Sequence, residues 1–136
     1  MITKTSELTG AALDYAVAKC LCPEHHIVTI LNGIPRFFKN HEKPFKMIYS
    51  EPLYFSTDWT QGGPIIEREG ISLINWKIWE GGGTEPSRQG WEASYGCEDD
   101  ESGYAKIDGP TPLIAAMRCY VASKLGKEVD IPEGLL

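Results

Sequence analysis

Apolar residues recur along this chain with two different periods, and the period distinguishes helices from strands. Leu13, Val17 and Leu21 recur every fourth residue within "ELTGAALDYAVAKCL" and predict an amphipathic helix. Ser6 or Thr9 is placed to cap its start. The first five residues are typical of a short strand leading into this helix.

The segment "GPTPLIAAMRCYVASKLG" predicts a second helix with clear boundaries. Thr111 is suited to the N-cap, Pro112 to the first helical position and Gly126 to the position after the last turn. One apolar side of this helix is formed by Leu113, Met117, Tyr120 and Val121.

Alternating residues between the two helices predict antiparallel strands. "HIVTI" and "IPRFF" flank Asn32-Gly33, a strong hairpin-turn signal. Pro35 and Pro44 predict that this region lies at a sheet edge, since proline has no N–H to donate. "ISLINWKIW" and "GWEASYGC" form a second predicted hairpin, and "YAKID" is a candidate third strand.

This order of elements predicts an α+β fold, with a single antiparallel β-sheet and two main α-helices packed against it. The 136 residues and 15.1 kDa fit a single domain spanning 1–136, with a C-terminal tail at about 127–136.

The net charge of −6 argues against general nucleic-acid binding. One basic and aromatic stretch, residues 36–46, is an exception, although a hairpin with its lysines in water explains it equally well. No apolar run approaches the roughly 18 residues needed to span a bilayer, and no secretory signal begins the chain. We therefore expect a cytoplasmic protein without a membrane partner.

The stretch "CLCPEHH" brings four candidate zinc ligands together: Cys20, Cys22, His25 and His26. The two thiolates of a CxC pair bind one metal ion less readily than those of a CxxC pair. No second pair of ligands lies at the sequence spacing of a zinc finger. Cys20 also falls on the apolar side of the first helix, where a thiol behaves as a small hydrophobe. We expect neither a metal nor a cofactor.

The stretch "STDWTQGGPIIEREG", residues 56–70, is the first candidate site. Gly62 and Gly63 predict a tight reversal, followed by a short helix whose free N–H groups would face a ligand. Trp59 would be a stacking wall in this interpretation. The polar anchors would be Asp58, Glu67, Arg68 and Glu69. The alternative is a structural corner, with Trp59 and the two isoleucines buried in the core.

The start of the last helix, "DGPTP" at residues 108–112 with Asp108, Gly109 and Thr111, is the second candidate site. Its N-terminus at Thr111 favours an anion, although simple capping explains the same residue. Arg118 interrupts an apolar run, so its charge should be paired. The partner would be a carboxylate such as Glu67 or Asp58, or the phosphate of a ligand.

Catalytic motifs are absent: no GxSxG, HExxH, Walker loop or GxGxxG occurs. Asp58 with Glu67 or Glu69 could form a carboxylate pair in principle, but surface carboxylates are common. We predict no catalytic residue.

Three blocks of the sequence resemble the NinX-like phage proteins in residue identity, order and spacing. They are "TSELTGAALDYAVAKC", "STDWTQGGPIIEREGISL" and "GPTPLIAAMRCYVASKLGKEVDIPE". The resemblance implies a protein from the early accessory region of tailed enterobacterial phages and prophages, acting in the cytoplasm of the host cell. It carries over no catalytic residue. Residues 22–50 and the loop 80–89 depart from the family pattern and resemble variable insertions.

Three functions remain open. The first is a non-enzymatic binder of a small anionic or nucleotide-like ligand, using Asp58, Trp59, Gly62, Gly63, Glu67, Arg68, Thr111 and Arg118. The alternative is an accessory factor that binds a host protein through the acidic run 98–101 and exposed tryptophans. A hydrolase ranks third. An edge strand within residues 34–49 could also support a homodimer.

Overall fold

The computed structural model describes residues 1–22, 26–39, 48–49, 51–96 and 104–136. These residues combine α-helices with small antiparallel sheets, so the predicted α+β class is confirmed. The helices are α1 (Gly10–Leu21), α2 (Trp59–Glu69) and α3 (Pro112–Leu125). Two of them match the predicted helices, and α2 is longer and starts earlier than predicted.

The prediction of a single sheet is wrong, because the described strands form three separate small sheets. The first pairs β1 (Ile2–Lys4) with β8 (Glu128–Asp130). The second has the order β2 (His26–Leu31), β3 (Ile34–Lys39), β4 (Ile48–Tyr49). The third has the order β5 (Ser72–Ile78), β6 (Arg88–Tyr95), β7 (Ala105–Gly109).

Helix α3 is the centre of the hydrophobic core. Its residues from Ala115 to Val121 are all buried, and it packs against α1, α2 and the inner face of the β5–β6–β7 sheet. Trp91, Ala93 and Tyr95 project from β6 onto this side. The sheet has α3 on one face, so the opposite face carries the more exposed Ile74 and Ile78.

Local turn and capping signals agree with the structure. Asn32 and Gly33 both have positive φ, at 54° and 76°, as a tight hairpin turn requires. The Thr111 side chain accepts a hydrogen bond from the N–H of Ile114 at 3.1 Å, which caps α3. Thr9 occupies the N-cap position of α1 without a side-chain capping bond.

The edge position predicted from Pro35 is wrong, because β3 lies between β2 and β4. The paired part of β4 reaches only Phe38 and Lys39, so Pro35 meets no β4 residue. Its carbonyl instead accepts a hydrogen bond from the N–H of Leu53 at 3.0 Å. Pro44 lies outside the described residues.

The C-terminal tail is joined to the N-terminus of the chain. The Met1 ammonium donates to Asp130 Oδ1 at 2.8 Å and to the Ile131 carbonyl at 2.9 Å. A 3₁₀ turn, Thr5–Glu7, follows β1, and the Thr5 hydroxyl donates to the Gly126 carbonyl at 2.7 Å. These bonds hold the 3₁₀ turn beside the end of α3. In the described residues, no helix has the length and apolar composition to cross a bilayer.

One carboxylate, Asp14 on α1, is buried in the core region. Its Oδ1 accepts a hydrogen bond from the N–H of Ser56 at 2.8 Å, which fixes the segment leading into α2. Burial raises the pKa of Asp14, and the bond from Ser56 opposes this only in part.

Replacing Asp14 with asparagine should flatten the pH dependence of stability. An acid with a raised pKa holds its proton more tightly in the folded state, so folding loses stability as the pH rises from about the unfolded value of 3.8 through the folded pKa. The free energy of unfolding of the wild type, relative to Asp14→Asn, should therefore fall as the pH rises from about 4 and level off once the pH exceeds the folded pKa.

The control is Asp14→Ala, which also cannot titrate but removes the acceptor of the Ser56 N–H. It should be less stable than Asp14→Asn by about 1–2 kcal/mol at every pH. Urea unfolding across this pH range measures both effects. If the wild type instead gains stability relative to both variants as the pH rises, the pKa of Asp14 is lowered by folding and not raised.

Candidate functional site

The first candidate stretch forms a regular helix from Trp59 onward, capped by Asp58. Asp58 Oδ1 accepts from the Thr60 N–H at 2.9 Å and from the Thr60 hydroxyl at 2.6 Å. These two bonds lower the pKa of Asp58, which keeps its carboxylate ionised. Such a carboxylate serves as a helix cap, whereas a general acid requires a raised pKa.

The predicted chain reversal at Gly62 and Gly63 is wrong, because both glycines lie inside α2. The Gly62 N–H donates to the Asp58 carbonyl at 2.9 Å, so it is not a free donor facing a ligand. Gly62 is instead required for close packing. A Cβ there would lie 2.4 Å from the Phe55 carbonyl oxygen and 2.7 Å from Leu113 Cδ2 on α3.

Trp59 is not buried in the core, where the structural interpretation had expected it. Its side chain is 53% exposed at the start of α2, beside Gly63. Ile65 is buried, as the structural interpretation of this stretch expected, and Ile66 is partly buried against the core.

The charged residues at the end of α2 connect it to α3. Glu69 bonds Arg68 at 3.3 Å and approaches Lys124 Nζ at 3.7 Å. The same ammonium lies 5.4 Å from the ring centre of Tyr95 and 5.9 Å from that of Tyr120. Glu67 is exposed and takes no part in these contacts.

Arg118 differs from the other predicted site residues because its charge is buried. Its side chain is 9% exposed, its Nε donates to the Leu8 carbonyl at 2.8 Å, and its Nη1 donates to the Asp108 carbonyl at 2.9 Å. Burial lowers the pKa of the guanidinium. The predicted carboxylate partner, Glu67 or Asp58, is wrong: within the described chain Arg118 makes no ion pair, and its two hydrogen bonds go to backbone carbonyls.

Arg118 lines an open groove of about 700 Å³ along the free edge of β7. The groove extends from the 3₁₀ turn across β7 to the outer face of β6 and β5. None of residues 56–70 lines it, so the two predicted sites do not share this groove. Its polar and aromatic lining includes Ser6, Trp76, Glu92, Lys106, Asp108 and Arg118.

Trp76 lies over Gly90, its partner across the β5–β6 hairpin. A Cβ at Gly90 would lie 2.7 Å from Trp76 Cζ2, so glycine is needed for the indole to lie flat on the strand. The indole Nε1 is buried without a hydrogen-bond partner in the described part of the chain. It is therefore a donor at the wall of the groove with no protein acceptor.

The charges of the groove are only partly paired. Lys106 Nζ lies 3.6 Å from Glu92 Oε1, across the β6–β7 pair. Arg118 and the exposed Asp108 carboxylate form no ion pair with any described residue. The buried Arg118 cation and the exposed Asp108 anion thus have no ionic partner among the described residues.

A second cavity of about 970 Å³ adjoins the groove and shares Ser6, Lys106 and Ile107 with it. Lys4, Lys127 and Glu128, the other charged residues of its lining, are all exposed. The groove at Arg118 is the stronger candidate, because of the two cavities it is the one that a buried charge lines.

Sequence reasoning singled out Arg118 but missed most of its neighbours. Asp108 was part of the second candidate segment, but Ser6, Glu92 and Lys106 look like ordinary surface residues in the sequence. The register of the β5–β6 hairpin, which places Gly90 opposite Trp76, is the signal that could have found the wall of the groove. His25, one of the four candidate zinc ligands, and the acidic run 98–101 lie outside the described residues, as does most of the basic stretch 36–46. Among the described side chains, no three of the His, Cys, Asp and Glu groups are clustered as a metal ion would need.

A family model described as "Bacteriophage P22, NinX" matches residues 4–124. The chain belongs to the bacteriophage P22 NinX family. This confirms the resemblance noted in the sequence, and the match includes every residue that lines the groove at Arg118. No curated protein matched the chain. Membership of the NinX family supports a phage accessory protein and assigns no activity to it.

Proposed function

We propose that this NinX-family protein is a non-enzymatic binder of a small polar ligand, which places an anionic group against Arg118. One observation carries the proposal: a buried guanidinium lines a groove and, within the part of the chain that the structure describes, has only backbone carbonyls as partners. The ligand site is therefore the groove along β7. It replaces the predicted corner at residues 56–70.

The bonding of Arg118 supports this role. A guanidinium carries five N–H donors, and two carbonyl bonds leave several of them unused. Carbonyls accept hydrogen bonds but do not neutralise a charge, and a buried charge without a counter-ion is costly. A carboxylate or phosphate would supply both the charge and the planar acceptor geometry that arginine matches best.

Two further groups lie where such a ligand would sit. Trp76 offers an indole surface and an Nε1 donor without a protein acceptor. Lys106 adds a second cation at the rim, 48% exposed and shared with Glu92. We propose that the protein acts in the host cytoplasm, where small phosphorylated and amino-bearing metabolites are available as ligands.

A second candidate function is that of an accessory factor that binds a host protein. The outer side of β5 and the residue that follows it expose three large apolar side chains: Ile74 at 57%, Ile78 at 38% and Trp79 at 54%. Exposed apolar patches of this kind mark many protein interfaces.

Native mass spectrometry of the protein purified from an enterobacterial host distinguishes the two functions. We expect the folded protein to carry an added small mass that is released on denaturation. Lys106→Gln should lower the bound fraction, with about fivefold weaker binding. Lys77→Gln is the matched control, since Lys77 is an exposed lysine of β5 that does not line the groove.

An added mass that survives unchanged in Lys106→Gln would contradict the placement of the ligand in this groove. An added protein chain in place of a small molecule would support the accessory factor. A bare protein that also fails to bind inorganic phosphate, measured by calorimetry at low salt, would contradict the proposed function.

A further inference from the structure

The charged residues that line the groove indicate the chemical class of the ligand. This inference rests on the proposed function. Four ionised side chains line it: Lys106 and Arg118 are cations, and Glu92 and Asp108 are anions. Their formal charges cancel. A ligand with several negative charges would therefore meet two carboxylates as well as the two cations, and its net attraction would be small.

The pairing within the groove makes the requirement more specific. Lys106 and Glu92 neutralise each other across the β6–β7 pair, at 3.6 Å. Among the described residues, Arg118 and the carboxylate of Asp108 have no ionic partner. The two residues are neighbours, because the backbone carbonyl of Asp108 accepts a hydrogen bond from Arg118 Nη1 at 2.9 Å.

We infer that the ligand is a small zwitterion, whose anionic group binds at Arg118 and whose ammonium group binds at Asp108. A carboxylate or phosphate at the guanidinium would otherwise be repelled by Asp108. An ammonium on the same ligand converts that repulsion into a second attraction. Amino acids, amino sulfonates and phosphorylated amines share this chemistry, and nucleoside polyphosphates do not.

The backbone next to Asp108 is closely packed against α3. Gly109 lies against the backbone of α3, where a Cβ would be 2.6 Å from the Ala115 nitrogen, so the strand that carries Asp108 is held firmly on the helix that carries Arg118. Packing therefore fixes the backbone at Asp108 relative to α3.

The test compares matched pairs of probes that differ only in the ammonium group. O-phosphoethanolamine is compared with ethyl phosphate, and β-alanine with propionate, by ¹H–¹⁵N spectra of the full chain at low salt. The resonances to follow are Trp76 Nε1 and Arg118 Nε. We expect the amine-bearing member of at least one pair to bind about fivefold more tightly than its partner.

The Asp108→Asn variant should abolish that preference while keeping the binding of ethyl phosphate or propionate. The matched control is Glu133→Gln, an exposed carboxylate in the C-terminal 3₁₀ turn and outside the groove. It should leave the preference unchanged.

The outcomes distinguish the two proposals. Equal binding of both members of each pair would overturn the zwitterion and leave the anion-binding function intact. A preference that persists in Asp108→Asn would overturn the role of Asp108. Absence of any shift at Trp76 and Arg118 with all four probes and with inorganic phosphate would overturn both proposals.

Discussion

Replacing Gly62 with alanine should lower the free energy of unfolding by about 3 kcal/mol or more. The added Cβ would lie 2.4 Å from the Phe55 carbonyl oxygen, an approach that real Cβ atoms do not make. The contact is with backbone, which cannot rotate away, and Leu113 Cδ2 on α3 lies only 2.7 Å from the same position. Relief therefore requires α2 to move off both neighbours. Urea unfolding measures the loss.

Gly63→Ala is the matched control, one residue further along the same helix. Its Cβ would meet only Trp59 Cε3, at an ordinary 3.7 Å. Alanine favours a helix over glycine by about 1 kcal/mol, and a Cβ before Pro64 opposes this by clashing with the proline ring. We expect a net change within about 1 kcal/mol. Equal losses in the two variants would show that helix propensity, and not the contact with Phe55, decides the effect.

Helix α2 also shows where sequence reasoning fails. Gly62, Gly63 and Pro64 are poor helix formers, so their local preferences predict a turn. The helix forms because the small glycine allows close packing on α3 and Asp58 caps the first turn. Tertiary packing overrides local propensity here, and a single sequence carries no record of that contact.

The elements that were predicted correctly depend on local signals. The ends of α3 follow from Thr111 and Gly126, and the first hairpin follows from Asn32 and Gly33. The division into three sheets depends instead on pairings between distant segments. Ile2 meets Asp130, at the other end of the chain, and no local pattern encodes that partner.

The candidate site was predictable only through its one anomalous residue. A charge within an apolar helical run has to be explained, and this identified Arg118. Its surroundings come from four segments that are distant in sequence: the 3₁₀ turn, the β5–β6 hairpin, β7 and α3. In the sequence, Lys106 and Glu92 look like residues on any solvent-exposed strand face. Only the register between β6 and β7 shows that they are neighbours.

Replacing Arg118 with methionine should lower the free energy of unfolding by about 3 kcal/mol. The variant keeps most of the packing volume but removes the donors to the Leu8 and Asp108 carbonyls, at 2.8 and 2.9 Å. These bonds connect the segment after the 3₁₀ turn to the edge of β7. No described carboxylate is left behind unpaired, because Arg118 has no ionic partner, so the loss should not reach the upper range seen for broken buried ion pairs. Urea unfolding at pH 7 measures it.

Arg88→Met is the control for charge alone. Arg88 is an exposed arginine that pairs with Glu80 at 3.2 Å, and its loss should change stability by less than about 1 kcal/mol. Arg118→Lys should fall between the two, since one ammonium keeps the charge but cannot reproduce the fork that spans both carbonyls. If Arg118→Met is no less stable than Arg88→Met, the two carbonyl bonds do not hold the edge of β7.

The same three variants, compared with the wild type, separate the structural role of Arg118 from its binding role. A ligand that binds only the folded state adds to its stability. Phosphate or the tightest matched probe should therefore raise the urea midpoint of the wild type and of Arg88→Met, raise that of Arg118→Lys less, and leave that of Arg118→Met unchanged. A midpoint that rises equally in Arg118→Met would place the anion away from the guanidinium. Arg118 would then be a residue that joins β7 to the 3₁₀ turn, and its exposure to the groove would have no consequence for binding.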